Sequence, residues 1–468
     1  MSLLIKNGTI ITASETYQAD IFIQGEQIVL IGENLSVKAD QVIDAADKLV
    51  MPGGIDPHVH LDLPMFGTVS SDDHYTGTKA AAFGGTTTVF DFVSFDEKTL
   101  TESYLAWKKK AEPACAVDIG CHINMTRLNE DVLHEIAELT KLGILSLKMF
   151  MAYNGRLRLQ DGEIFQVMRQ SVKHNLLPML HAENGDVIDI LVKEALAQNL
   201  RAPIWHARTR PAWGATEAVL RGVSLSAQAQ SPLYIVHVNA GGEVDQLAYA
   251  HQHGIGVLGE TCPTYLFFTE EVLNRPDGAK WICSPPLRTA ADRDRLWQGI
   301  MEGSLQVIGT DHCPFFYDGT KPITYEGKPV AIPGKELGKD DFTKIPNGVP
   351  GVGDRLPILW TKGVVEGRIT PNQFVALTST NAAKIFGCYP RKGSILPGAD
   401  ADLIIWDPNK KITYGIAYAH HRTDYNLYEG WQLTGFLEKT ILRGKVIVDG
   451  SQWLGKPGMG KIITRPYR

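Results

Sequence analysis

The chain has 468 residues and a mass of 51.5 kDa, with 44% hydrophobic and 21% charged residues, the balance of an ordinary globular enzyme. That length exceeds one small core; it suits a large α/β barrel with an accessory domain, or two to three ordinary domains. A net charge of −6 and a pI near 6.2 give no basic footprint for nucleic acid or an anionic membrane surface.

The start, Met1-Ser-Leu-Leu-Ile-Lys-Asn-Gly, lacks the basic region, apolar run and small-residue cleavage site of a signal peptide, and no apolar stretch reaches the length of a membrane span. The six cysteines (115, 121, 262, 283, 313 and 388) form no Cys-x-x-Cys pair. A disulfide framework is not expected, the thiols read as small buried hydrophobes, and a reducing cytoplasm is the expected location.

Residues 3–11 around Asn7-Gly8, 19–24 and 27–31 read as short antiparallel strands with no helical period. From residue 50 strands alternate with helices. The expected strands are 50–60, 86–93, 118–124, 145–151, 177–183, 233–239, 256–262 and 305–311. Asp161 caps a helix with Ile164, Phe165, Met168 and Val172 on one face, Asn129 opens another, and Gly84-Gly85 and Gly143 mark helix ends. Eight strand–helix units over about 330 residues predict a (β/α)8 barrel, although alternation alone also permits an open doubly wound sheet. Residues 315–350, rich in Gly, Pro, Lys and Asp, read as a long functional loop beside the site. β material returns at 401–406 and 440–448. The expected division is a β-sandwich domain from residues 1–50 and 390–450, a catalytic barrel over 51–389, and a C-terminal tail over 451–468.

His58 and His60 are two apart on an expected strand, so both rings leave the same face. A lone His-x-His is a weak sign of a metal; His251-Gln-His253 has the same spacing and reads as a solvated helix end. The first pair has company. His181, His237 and Asp311 also fall at carboxyl ends of expected strands, where barrel enzymes keep their chemistry. Each histidine alone would read as a satisfied core residue, whereas four of them and an aspartate at successive strand ends read as a metal site. His74, His134, His174, His206, His420 and His421 lie in helical or loop contexts and are not expected ligands. Lys148, inside the apolar Ser146-Leu-Lys-Met-Phe150, is unusual because burial disfavours the ammonium. Snorkelling to the barrel rim or pairing with a carboxylate would explain it. A neutral amine there can also take up carbon dioxide as a carbamate able to bridge two metals.

These residues sit in longer motifs: Gly54-Ile-Asp-Pro-His-Val-His60, Gly67-Thr-Val-Ser-Ser-Asp-Asp73, Lys148-Met-Phe-Met-Ala-Tyr153, His181-Ala-Glu-Asn-Gly-Asp186, Ser284-Pro-Pro-Leu-Arg288, Gly309-Thr-Asp-His-Cys-Pro314 and Ile345-Pro-Asn-Gly348. Together they resemble the cyclic amidohydrolases of the dihydropyrimidinase and D-type hydantoinase group, over essentially the whole chain. The resemblance implies two Zn2+ ions (Mn2+ or Co2+ as substitutes) bridged by a hydroxide and by Lys148 in N6-carboxylated form. It places His58, His60 and Asp311 on one metal and His181 and His237 on the other. It implies that the metal-held hydroxide attacks a ring carbonyl, that Asp311 shuttles the proton, and that Tyr153 stabilises the oxyanion. Tyr153, Ser284 and Asn347 would bind the ring of a small neutral cyclic amide or ureide, giving an N-carbamoyl amino acid. A homotetramer, or a dimer, is the assembly implied.

Dihydroorotase and allantoinase are the neighbouring activities. Asp62, two residues after His60, would repel the carboxylate of dihydroorotate. A non-catalytic assembly homologue would lack part of the ligand set, and all six candidate ligands are present. Departures from the group's pattern at Asn154-Gly-Arg-Leu157 and Phe92-Val-Ser-Phe95 point to the ring's substituent, for which Leu63, Met65, Phe66, Phe92 and Phe95 are the expected apolar wall.

Overall fold

The structure, a computed structural model, describes residues 2–65 and 67–465. Eight parallel strands form the barrel: β1 (Gly54–Val59), β2 (Thr86–Val93), β3 (Asp118–Asn124), β4 (Ser146–Phe150), β5 (Leu177–His181), β6 (Leu233–Ile235), β7 (Val257–Thr261) and β8 (Val307–Ile308). Each pairs with the next along the chain. Closure is made just past β1 and β8. Val59 bridges His312 in parallel, His60 N donates to His312 O at 2.8 Å, and Thr310 Oγ1 donates to the Asp56 carboxylate at 2.6 Å. Below, the fully buried Arg355 guanidinium donates to Ile55 O at 2.7 Å and Ile308 O at 2.9 Å, clasping the first and last strands.

Local chemistry places the outer helices. Thr99 and Glu102 form a capping box ahead of Leu100–Ala111, and Asn129 accepts from Val132 N ahead of Glu130–Lys141, whose Val132, Ile136 and Leu139 face the core. The helix expected to be capped by Asp161 starts at Asp161 itself, and Gln160 is its cap, receiving Glu163 on its backbone N–H at 2.7 Å. Gly85, at φ +80°, turns the chain from helix into β2, a conformation that costs a residue with a Cβ.

The strand expected over 50–60 is two strands. Leu49–Pro52 belongs to a second sheet and Gly54–Val59 to the barrel, with the switch at Gly53. Pro52 has no N–H for a continuing ladder, and Gly53 N instead donates to Asp402 O at 2.9 Å. The second sheet has nine strands, mostly antiparallel, drawn from residues 2–52 and 403–453. Its strand Ser2–Ile11 is continuous; Asn7, at φ 63°, forms a bulge rather than a turn. Period-2 alternation divides this sheet's faces: Ile10, Val50, Leu403, Ile405 and Ile441 fill its own core, while Ile11, Met51, Ile404, Trp406 and Leu442 join the main core with the barrel.

A buried ionic cluster rivets the two units. Lys392 Nζ lies 2.5 Å from both Asp118, at the start of β3, and Asp402, and 2.9 Å from Asp400. That ammonium pairs with all three carboxylates and offsets the repulsion among them. The tail packs back on its own barrel: Ile119 N donates to Lys461 O, and buried Arg465 donates to Cys121 O and Ser146 Oγ. Residues 315–350 carry a small hairpin (Ile323–Tyr325 with Lys328–Val330) and two 3-10 turns, Lys335–Gly338 and Phe342–Lys344.

Candidate active site

All six candidate ligands meet at the carboxyl end of the barrel. His58 ends β1 and His60 follows, their ring centroids 5.2 Å apart. Asp311, just past β8, lies with one carboxylate oxygen 3.1 Å from His58 Nε2 and 3.0 Å from His60 Nε2. His181 closes β5 and His237 lies two residues past β6, with His181 Nδ1 2.9 Å from His237 Nε2. The His58 and His237 rings, 5.4 Å apart, join the two groups. Lys148 stands mid-β4, only 1% exposed, its ammonium 4.7 Å from the Phe92 ring centre and 5.3 Å from that of Phe150. Asp311, His237 and Tyr153 all adopt left-handed backbone conformations (φ 51°, 41° and 68°), a cost of about 1–3 kcal/mol each that packing must hold in place.

Two carboxylates that sequence reasoning did not assign fix the imidazole tautomers. Glu260 on β7 lies 2.5 Å from His58 Nδ1 and accepts from Tyr234 OH at 2.9 Å and His237 N at 3.2 Å. With Nδ1 committed to Glu260, Nε2 is the His58 nitrogen turned toward Asp311, 3.1 Å away. Glu183 takes His181 Nε2 at 2.8 Å and Arg210 at 3.0 Å, turning His181 Nδ1 toward His237. Such carboxylate–histidine pairs are how proteins orient metal-binding imidazoles. The signal was available: Glu260 interrupts an apolar strand just as Lys148 does.

The electrostatics agree with a site prepared for cations. Burial opposes charge on His58, but the Glu260 and Asp311 carboxylates outweigh it and hold the imidazolium up to about 9. Burial likewise opposes ionised Asp311, yet His58 and His60 hold it well below the usual carboxylate range. Burial would raise Glu183, but Arg210 and His181 bring it down to about 2. Burial lowers His60, His181 and His237, leaving them as neutral lone-pair donors. It also pushes the Lys148 ammonium down to about 8, against the attraction of Asp311 and Glu260. His58, His60 and Asp311 offer three ligand atoms within 4.8 Å of one another, which suits one divalent cation. His181 Nδ1 and His237 Nε2 can hold a second beside it.

A cleft of about 340 Å³ opens over these groups. Tyr153, Ser284 and Asn347 line it, with Asn347 Nδ2 donating to Ser284 Oγ at 3.1 Å. Among the described residues, the backbone C=O of Ser284 and the backbone N–H and C=O of Asn347 take no hydrogen bond. Uncommitted backbone groups at a cleft are poised for a ligand.

The expected apolar wall is redrawn. Leu63 and Met65 line the cleft, joined by Phe150 and Leu157. Phe92 does not; it is 4% exposed and packs beneath the imidazoles, 4.8 Å from His60 and 4.6 Å from His58. Phe95 does not either, being buried with the Arg127 guanidinium 3.7 Å from its ring. Phe92 shares its face with Ser94 and points into the barrel, but one layer deeper, beneath the imidazoles, so that Ser94 reaches the cleft; Phe95, of opposite parity, turns away. Phe66 lies outside the described residues. Asp62 is not among the residues lining the cleft; its carboxylate pairs with Lys110 at 3.1 Å. His251 and His253 sit at the end of helix Gly241–Gln252, as the spacing suggested.

Known proteins can now be set beside this geometry. The sequence matches the amidohydrolase family over residues 49–447. It is 44% identical to a D-hydantoinase of Geobacillus stearothermophilus, across 99% of this chain and 97% of that one. A D-hydantoinase of Streptomyces coelicolor is 40% identical over the same shares of the two chains. The crystal structure of a dihydropyrimidinase from Brevibacillus agri superposes with a TM-score of 0.95 at 43% identity, covering 100% of this chain and 99% of that one.

Proposed function

This chain belongs to the amidohydrolase family, and from that premise we propose that it is a binuclear-metal hydrolase opening the cyclic amide bond of dihydropyrimidines or 5-substituted hydantoins. The observation that carries the reading is the meeting of four imidazoles, Asp311 and Lys148 beside the uncommitted backbone of Ser284 and Asn347. In this reading the barrel carries the chemistry, and residues 1–50 with 390–450 form the flanking β domain.

His58, His60 and Asp311 would hold one Zn2+, His181 and His237 the other, and carboxylated Lys148 would bridge them. Mn2+ or Co2+ would suit the same nitrogen and oxygen donors. Bound there, the cations would polarise the ring carbonyl and bring the ionisation of water near neutrality. The rest is the work of the chain. The Ser284 carbonyl accepts the ring's imide N–H, and the Asn347 N–H donates to an adjacent ring carbonyl. Tyr153, whose phenol burial keeps protonated, donates to the oxygen on which negative charge develops, a contact worth roughly 3 kcal/mol. Asp311 Oδ takes the proton of the attacking water and returns it to the departing ring nitrogen. The product is an N-carbamoyl amino acid.

The test is a steady-state comparison of dihydrouracil, dihydroorotate, allantoin and two 5-substituted hydantoins on one metal-replete preparation. Dihydrouracil or the hydantoins should be turned over fastest, with close to two ions per chain and no activity after chelation. One ion per chain would sink the binuclear reading, and preference for dihydroorotate or allantoin would move the enzyme to the neighbouring activities. The reading includes the homotetramer, or dimer, that the resemblance implies; Ile190 on Gly185–Ala197 and Trp213 and Leu220 on Ala212–Ala229 are exposed apolar side chains that such an interface could cover.

The substituent wall makes a separate prediction. Leu63→Ala or Leu157→Ala should lower kcat/KM for hydantoins with bulky 5-substituents by about tenfold while sparing small ones, from lost apolar burial. Equal effects on small and bulky rings would remove both leucines from the wall.

A further inference from the structure

The loop over 315–350 holds a lysine that the chemistry above does not use. Lys335 is 1% exposed, and its Nζ donates to Ile282 O at 3.0 Å and to Pro346 O at 3.1 Å. No carboxylate pairs with it among the described residues. The ionisable neighbours that favour its charge are the thiols of Cys283 and Cys313, and burial pushes the ammonium down to about 7. A buried cation without a counterion is an expensive way to fill space; an apolar side chain of the same length would do it more cheaply. What the lysine adds is a tie between two separate segments. Ile282 lies two residues before Ser284, and Pro346 one residue before Asn347.

The surroundings make that tie stiff. Ile282 O also accepts from Gly348 N at 3.0 Å, and the next carbonyl, Cys283 O, accepts from the buried His206 Nε2 at 2.8 Å. Two consecutive carbonyls are therefore committed immediately before Ser284, whose own carbonyl is not. The lysine's own end is anchored by Lys335 N donating to Phe316 O at 2.7 Å. Gly338 closes the same turn against Ile345, where an added Cβ would come within 2.3 Å of the Ile345 backbone.

We propose that Lys335 is a positioning residue that fixes the gap between the Ser284 and Asn347 backbone groups and thereby sets which ring size the cleft accepts. The inference rests on the ring-opening reading. It follows from hydrogen-bond geometry: a donor and an acceptor that must meet adjacent edges of one small rigid ring tolerate little change in their separation. Lys335 touches no candidate metal ligand, so its effect passes through recognition of the ring and not through the ions.

The test compares wild-type and Lys335→Met enzyme, each checked for metal content and melting temperature, on unsubstituted hydantoin (five-membered) and dihydrouracil (six-membered). Lys335→Met should raise KM about tenfold on the better ring, leave kcat within about threefold, and shift the ratio of kcat/KM between the two rings by about fivefold or more. A merely structural lysine would lower both rings together and leave the ratio where it was. Lys335→Gln keeps two N–H donors on a shorter arm; its KM should lie closer to wild type, with the ratio moved in the same direction. If Lys335→Met does not fold, the ratio measured on Lys335→Gln decides. An unchanged ratio in folded, metal-replete variant overturns the proposal. Wild-type enzyme inert toward both rings would remove the ring-opening reading and this proposal with it, a result read on the wild type alone.

Discussion

Lys148→Ala should strip the site of both metals and abolish turnover, with partial recovery of each when acetate or propionate is supplied. The reason is charge. Two divalent cations held by four neutral imidazoles and one carboxylate carry a large uncompensated positive charge inside a barrel. A second anion is required between them, and Lys148 is the side chain placed to become one. Its amine is 1% exposed, with aromatic rings on two sides, and burial already brings it down to about 8, so a neutral fraction exists to combine with carbon dioxide. That reaction forms the N–C bond and releases one proton, leaving a carbamate that would supply the second negative charge. Metal content by elemental analysis is the direct measurement. Full retention of both ions in Lys148→Ala would end the bridging role.

Asp311→Asn should behave differently, with kcat falling by about 10³-fold or more while substantial metal stays bound. The carboxamide keeps an oxygen where Asp311 Oδ1 meets His58 Nε2 and His60 Nε2, but it cannot accept and return a proton. On the proposed reading the pair of variants separates two jobs: Lys148 would hold ions, and Asp311 would move protons. If Asp311→Asn kept activity within tenfold of wild type, the proton would have to travel through another group. If it lost metal in step with activity, Asp311 would be a ligand only.

The meeting of the six candidate ligands was legible in the sequence because period-2 spacing and strand ends carry a position in space. His58 and His60 share a face by arithmetic, and the carboxyl end of each strand points to the same rim. What the chain does with the second nitrogen of each ring was less legible. Glu260 and Glu183 are separated from their histidines by 202 and 2 positions, and only the folded barrel shows that both serve the same purpose. Phe92 and Phe95 were misplaced because β2 is buried on both faces; its alternation distinguishes inside from outside the barrel, and apolar side chains occupy both. Asp62, a charge two residues from a candidate ligand, was read without its partner, Lys110, which comes from a helix 48 positions later. The split at Gly53 escaped notice because one apolar run feeds two sheets.

The clasp between the first and last barrel strands has a consequence in time. Asp56 and Thr310 are 254 positions apart, and their neighbours His58 and Asp311 come together only once that span has been closed. A chain emerging from the ribosome therefore displays His58 and His60 long before their partner exists, and a two-residue histidine pair alone holds an ion weakly. On the proposed reading metal uptake would be a late event, and ion loading during refolding should trail the recovery of helix content.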